Sequence, residues 1–217
     1  MSLSKRLLAC AQYTDGFMKL ADIGTDHAQL PIHAVEQGYV YAALAIDNKE
    51  GPFVIAYSNV KKANLSHKIT VIKGDGIDKI DDEVDVLVIS GMGGKLISSI
   101  LQKDSIRNIK RVILQPNIDS SIVRSTMNKL GFKIIDELVL KDAKKYYDVI
   151  VFEKGTQTLS TFECDFGPIN LALKPFYFVE KIEKEKRNLT NILNKMEEPS
   201  HKFAVNARLM LLEEALK

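Results

Sequence analysis

The chain has 217 residues, of which 46% are hydrophobic and 27% charged, with a formal net charge of +2. These proportions fit one globular domain with a small appendage and exclude a disordered, fibrous or collagen-like chain. No run reaches the roughly 18–20 apolar residues of a membrane span. The basic start, Met1 to Arg6, is followed only by Leu7 to Ala11, too short for a secretory signal, so a soluble cytoplasmic protein is expected.

Taken in chain order, Met18–Ile23 reads as a strand ending at Gly24. A helix follows over Ala28–Gln37, closed by Gly38. Tyr39–Ile46 is a second strand, stopped by Asp47-Asn48, and Pro52 suits the first turn of a helix reaching Ala63. Lys68–Lys73 is a third strand ending at Gly74-Asp75-Gly76. Val84–Ile89 has the doubly apolar character of a central parallel strand. A helix over Leu96–Leu101, a strand over Arg111–Leu114 and a helix over Ser120–Leu130 follow. Phe132–Leu140 and Tyr146–Lys154 read as an antiparallel pair at the sheet edge. Alternating β and α elements predict an α/β, doubly wound Rossmann-like sheet with helices on both faces, covering residues 1–155. Residues 156–217 carry no strand signal after Gly167-Pro168. Phe178, Ile182, Leu189, Leu193 and Met196, then Phe203, Ala207, Met210, Leu211 and Ala215, predict an α-helical hairpin of coiled-coil character.

In such a sheet, ligands bind at the carboxyl ends of the strands. The first end, Asp22-Ile23-Gly24-Thr25-Asp26-His27, lacks the G-x-G-x-x-G of a dinucleotide site, since Asp26 stands where a second glycine belongs. An acidic turn instead suits a ligand with a positive end, such as the ammonium and sulfonium of S-adenosylmethionine. Asp47 at the second end is placed to accept ribose hydroxyls, and Asp75 at the third to accept an adenine amino group. Ser90-Gly91-Met92-Gly93-Gly94 frees backbone from side-chain bulk at the fourth. At the fifth, Gln115-Pro116-Asn117 offers two amides, for a base edge or for the turn itself. Asp26 has an ordinary alternative role as N-cap of the next helix.

Cys10 and Cys164 form no CxxC pair, and the four histidines show no metal-binding spacing, so no metal is expected. Neither cysteine ends a strand, which disfavours pyrimidine C5 methylation. The turn after strand four is not the Asn/Asp-Pro-Pro-aromatic sequence common in exocyclic-amine methylation.

The segments Asp22–Pro31, Glu50–Phe53, Gly74–Gly76, Ser90–Gly94 and Leu114–Asn117 together resemble the TrmK-type bacterial tRNA methyltransferases. Phe166-Gly167-Pro168 and the helical tail match that family's C-terminal coiled coil. This chain has Thr25, Gln29, Ser90 and Asp47 where the family usually has Ser, Tyr, Ala and often Glu. The resemblance implies a class I methyltransferase that uses S-adenosylmethionine to methylate N1 of adenine 22 in tRNA. The candidate cofactor-binding residues are Asp22, Gly24, Thr25, Asp47, Asn48, Gly74, Asp75, Gly76, Ser90, Gly91 and Met92. The candidate catalytic residues are Asp26 and Asn117; Asp26 matches an aspartate proposed as catalytic in the family.

N1 lies on the Watson–Crick edge, so a paired adenine must be extruded. Tyr146, Tyr147 and Phe53 are candidate stacking partners. Lys103, Arg107, Lys110, Arg111, Lys129, Lys133, Lys141, Lys144 and Lys145 are candidate phosphate contacts if they share a face. The tail is expected to extend the RNA footprint, and the protein to be a monomer. Two rival readings are an NAD(P)-dependent oxidoreductase and a catalytically silent RNA-binding scaffold.

Overall fold

The computed structural model describes residues 3–101, 106 and 108–217. In chain order the elements are α1 (Lys5–Gln12), β1 (Phe17–Ile23), α2 (Gln29–Glu36), β2 (Val40–Asp47), α3 (Glu50–Lys62), β3 (Ile69–Lys73), β4 (Val86–Met92) and α4 (Gly94–Leu101). There follow β5 (Arg111–Pro116), α5 (Ser120–Lys129), β6 (Phe132–Asp142), β7 (Lys145–Lys154), α6 (Thr161–Phe166), α7 (Pro168–Leu173), α8 (Phe176–Leu193) and α9 (Pro199–Leu216). The strands form one sheet in the order β3-β2-β1-β4-β5-β7-β6. Strands β1 to β5 pair in parallel, and β7 inserts antiparallel between β5 and β6. The predicted doubly wound sheet and its antiparallel edge pair are what the chain forms.

Strand side chains alternate between the faces with period two. On β4, Val86 and Val88 join a core with Cys10 of α1, Leu30 of α2 and Val60 of α3. Leu87 and Ile89 face the opposite core, built with Ile97 of α4 and Val123 of α5. The strand is apolar throughout because both faces are covered. Helix α1 is not among the expected elements: Ser4 caps it, its hydroxyl accepting from Leu7 N at 3.4 Å.

After Gly155 a third core joins Val139 of β6 to Phe166, Phe178, Ile182, Leu212 and Ala215. Helices α8 and α9 pack as the expected hairpin, tied by Arg208–Glu185 at 2.8 Å and Lys186–Glu213 at 2.9 Å. The buried face of α9 matches the expected one only at Ala215. Leu212 is buried while Phe203, Met210 and Leu211 are exposed.

The extension is keyed to the sheet by a buried ion pair. Arg124 of α5 donates through Nε to Glu137 Oε1 of β6 at 2.6 Å, and through its NH1 group to the Cys164 and Asp165 carbonyls at 3.0 and 3.3 Å. The other Glu137 oxygen accepts the Ile169 N–H of α7 at 3.0 Å. Both side chains are at most 1% exposed.

Candidate active site

The carboxyl ends of β1, β2, β3 and β4 line one cavity of about 430 Å³. All eleven residues expected to bind a cofactor border it, as does Asp26. The Gly24–Ala28 loop is held by contacts remote in sequence. Gly24 and Thr25 donate their backbone N–H groups to the Ile46 carbonyl at 2.8 and 3.0 Å, and Asp26 N donates to Asp47 Oδ2 at 3.1 Å. Gly24, Asp26 and Ala28 all take positive φ, of 71°, 53° and 54°. Glycine adopts this region freely, whereas Asp26 and Ala28 are held there against a local steric cost. Asp26 therefore does not cap α2: Ala28 occupies the cap position without a side-chain hydrogen bond. The Asp26 carboxylate is 71% exposed at the cavity, 3.5 Å from His27 Nε2.

Each oxygen of Asp47 accepts one backbone N–H, from Lys49 at 3.0 Å and from Asp26 at 3.1 Å. A carboxylate offers about four acceptor positions, so two remain. Asn48 Nδ2 donates to Asp75 Oδ1 at 3.3 Å, joining the second and third strand ends.

Asp22 is buried and accepts the Thr25 hydroxyl at 2.7 Å. Burial pushes its carboxyl up to about 7; the Thr25 hydrogen bond opposes this and the Asp47 charge reinforces it. Between pH 4 and 7 the folded chain then keeps a proton that an unfolded aspartate has released, so stability falls as pH rises through that window. Asp22→Asn should remove this slope and stabilise the ligand-free protein by roughly 4 kcal/mol at pH 8. Thermal melts of both proteins from pH 5 to 8 check this; curves that run parallel would contradict it.

The fourth and fifth strand ends explain each other. The β4–β5 register jumps from Ser90↔Gln115 to Met92↔Pro116, leaving Gly91 as a bulged residue at φ 78°. A bulge strips its residue of ladder hydrogen bonds, and side-chain amides replace them. Gln115 Oε1 accepts the Gly91 N–H at 3.1 Å, and Asn117 Nδ2 donates to the Gly91 carbonyl at 2.6 Å. Of the two roles open to these amides, the turn is the one the structure gives them. Asn117 borders the neighbouring cavity, not the one lined by the acids. Gly94 permits a close approach: a Cβ there would lie 2.3 Å from the Asp119 carbonyl oxygen.

Sequence reasoning passed over Arg6. It reaches from α1 to donate to Gln115 Oε1 at 2.9 Å and borders the cavity. The signal for α1 was a capping serine before a short amphipathic run. Of the proposed stacking residues, Tyr146 and Tyr147 stand beside the cavity's neighbour, and Phe53 borders neither. The proposed basic residues, among those described, do not all share one face. Lys110 and Arg111 stand at the amino end of β5, paired with Asp85 and Glu153, whereas Lys144 and Lys145 sit in the β6–β7 turn at the opposite end of the sheet. Lys103 and Arg107 lie outside the described residues. Burial pushes the Cys10 thiol up to about 12, far from a reactive thiolate. Among the described residues, no group of three or more histidines, cysteines or acids is placed to hold a metal, and no helix is long and apolar enough to cross a membrane.

Three comparisons bear on this site. The sequence model of the TrmK family, described as tRNA (adenine(22)-N(1))-methyltransferase, matches residues 20–216. The tRNA (adenine(22)-N(1))-methyltransferase of Bacillus subtilis is 41% identical over 158 residues, covering 71% of this chain and 66%, just under two thirds, of that protein. A Streptococcus pneumoniae protein solved in complex with S-adenosyl-L-methionine superposes with a TM-score of 0.93 at 34% identity over 100% of both chains. Mycoplasma capricolum TrmK, solved with S-adenosyl-homocysteine, gives 0.89 at 28% identity, covering 99% of this chain and 97% of that one.

Proposed function

The chain belongs to the TrmK family of tRNA (adenine(22)-N(1))-methyltransferases, and from that premise we propose that it transfers the methyl group of S-adenosylmethionine to N1 of adenine 22 in tRNA. The observation that carries this reading is the acidic strand-end cavity. Four acidic residues border it, Asp26, Asp47 and Asp75 with the buried Asp22, which gives up its proton only near pH 7, opposed by two cations, Arg6 and Lys49. That balance complements a ligand bearing sulfonium and ammonium charges and repels the pyrophosphate of a dinucleotide, which argues against the oxidoreductase reading.

The residues fit the group. The two unused acceptor positions of Asp47 suit vicinal ribose hydroxyls, Asp75 with Asn48 suits an exocyclic amine, and Gly24, Gly76 and Gly91 keep side-chain bulk away. When bound, the cofactor supplies an electrophilic methyl group on sulfur. Adenine N1 has an in-plane lone pair, so no residue need remove a proton from it. The methylated ring carries positive charge, and the Asp26 carboxylate stabilises that charge and orients the amino group. Asp26 is therefore an electrostatic and orienting residue, not a general base. Residues 1–155 act as the methyltransferase unit and residues 156–217 as a helical extension. One chain supplies every group named, so a monomer suffices, and tRNA as substrate makes the cytoplasm its place of work.

The test compares an unmodified tRNA transcript with one carrying guanine at position 22, using labelled cofactor. Transfer to the first and none to the second is expected; equal transfer to both would contradict the site assignment.

A further inference from the structure

Beside the acidic cavity lies a second one of about 510 Å³, enclosed by α1, the loop after β5, the β6–β7 turn and α8. Arg6 borders both. The second cavity has the opposite electrostatic character: Arg6, Lys144, Lys145, Lys181 and Lys184 line it. Lys181 is neutralised by the two oxygens of Asp148, at 2.8 and 2.7 Å. That contact and Arg124 outweigh burial and pull the Asp148 carboxyl down to about 2.

The other four make no ion pair among the described residues. Arg6 meets only the neutral Gln115 amide, with its guanidinium carbon 6.0 Å from the Tyr147 ring centre. Lys184 Nζ lies 3.4 Å from the Lys144 carbonyl and 5.3 Å from the Tyr146 ring centre. Its neighbours on α8 are paired, Lys186 with Glu213 and Arg187 with Glu183. Lys144 and Lys145 are exposed in the turn. Lys184 also acts electrostatically on Glu180, the ion-pair partner of Lys141, but no acid lines the cavity itself, so the positive charges gathered around it repel one another, an arrangement that an anionic ligand relieves.

We propose that this cavity holds backbone phosphates next to the target adenosine, with Lys145 and Lys184 as the principal contacts. Helix α8 of the extension is then a wall of the acceptor site. The proposal rests on the tRNA methyltransferase reading and deepens it. Because Arg6 is common to both cavities, a strand held in the basic one presents its base to the acidic one beside it. Lysine ammonium groups act on phosphates as point charges and carry no base information, so they contribute affinity, not base choice.

The test measures steady-state kinetics with tRNA at saturating S-adenosylmethionine, together with the salt dependence of tRNA binding. The proteins are wild type, K145Q/K184Q, K145R/K184R and the distant control K61Q. The double glutamine variant should raise the tRNA KM about tenfold and lower the slope of log affinity against log salt by about two, one per lost contact. Its kcat and cofactor affinity should stay within about twofold of wild type, since neither lysine borders the acidic cavity. The arginine pair should restore most of the KM, and K61Q should match wild type. An active wild type whose double glutamine variant keeps its KM and salt slope would overturn the proposal alone. A wild type that transfers no methyl to tRNA would overturn the functional reading and the proposal with it.

Discussion

Asp26→Asn should lower kcat about a hundredfold while leaving the affinity for S-adenosylmethionine within about twofold. Asparagine is the informative replacement because residue 26 sits at φ 53°, a region asparagine tolerates better than alanine. The loop then keeps its shape, and the backbone N–H of residue 26 still reaches Asp47 Oδ2. Only the negative charge is removed. The magnitude follows from the role assigned to it, since stabilising charge that develops during reaction affects kcat and not ground-state binding. Single-turnover rates and calorimetric cofactor binding separate the two quantities. A kcat within twofold of wild type would remove Asp26 from the chemistry.

The largest expected stability loss is far from the cavity. Glu137→Ala should destabilise the protein by about 3 kcal/mol, because it leaves the buried Arg124 guanidinium without its hydrogen-bonded carboxylate, with Asp148 acting on it only through space. At about 2–4 °C per kcal/mol for a chain of this size, the melting temperature should fall by roughly 10 °C. The α7 N-terminus loses its acceptor in the same change, so the extension should loosen first. Replacing both partners by methionine should recover much of the loss, since a buried pair contributes little net stability over apolar packing. A Glu137→Ala melting temperature within about 3 °C of wild type would mean that the pair does not hold the extension in place.

The strand ends were readable because their signals are local. An acid or glycine directly after an apolar β run marks where a parallel strand meets its loop, and Asp22, Asp47 and Asp75 converge once the strands are parallel. The loop conformation was not readable. Asp26 looks like a cap because it precedes a helix by three residues, and it is the Ile46 carbonyl and Asp47, from another strand, that draw the loop into left-handed geometry. Gln115 and Asn117 remained ambiguous for a related reason. Their partner is a peptide group orphaned by a bulge at Gly91, and nothing local to residues 115–117 announces that bulge.

Helix α9 shows a limit of periodicity. Phe203, Ala207 and Met210 satisfy a helical repeat, but so do Val205, Leu209, Leu212 and Leu216. Only packing against α8 and β6 selects Leu209, Leu212 and Leu216, together with the expected Ala215. The basic residues failed as a group because strand direction separates them. Arg111 and Lys144, for example, lie at opposite ends of the sheet. The acceptor cavity needed tertiary structure, since it joins α1, a β-turn and α8, from residue 6 to residue 184.

The measurement that bears most directly on the account is the identity of the methylated nucleoside. Unmodified tRNA incubated with the protein and labelled S-adenosylmethionine is digested to nucleosides and resolved by mass spectrometry. The account predicts labelled 1-methyladenosine as the product, approaching one methyl per tRNA that carries adenine at position 22. Label in N6-methyladenosine or in a pyrimidine, or no label in tRNA despite cofactor binding, would contradict it.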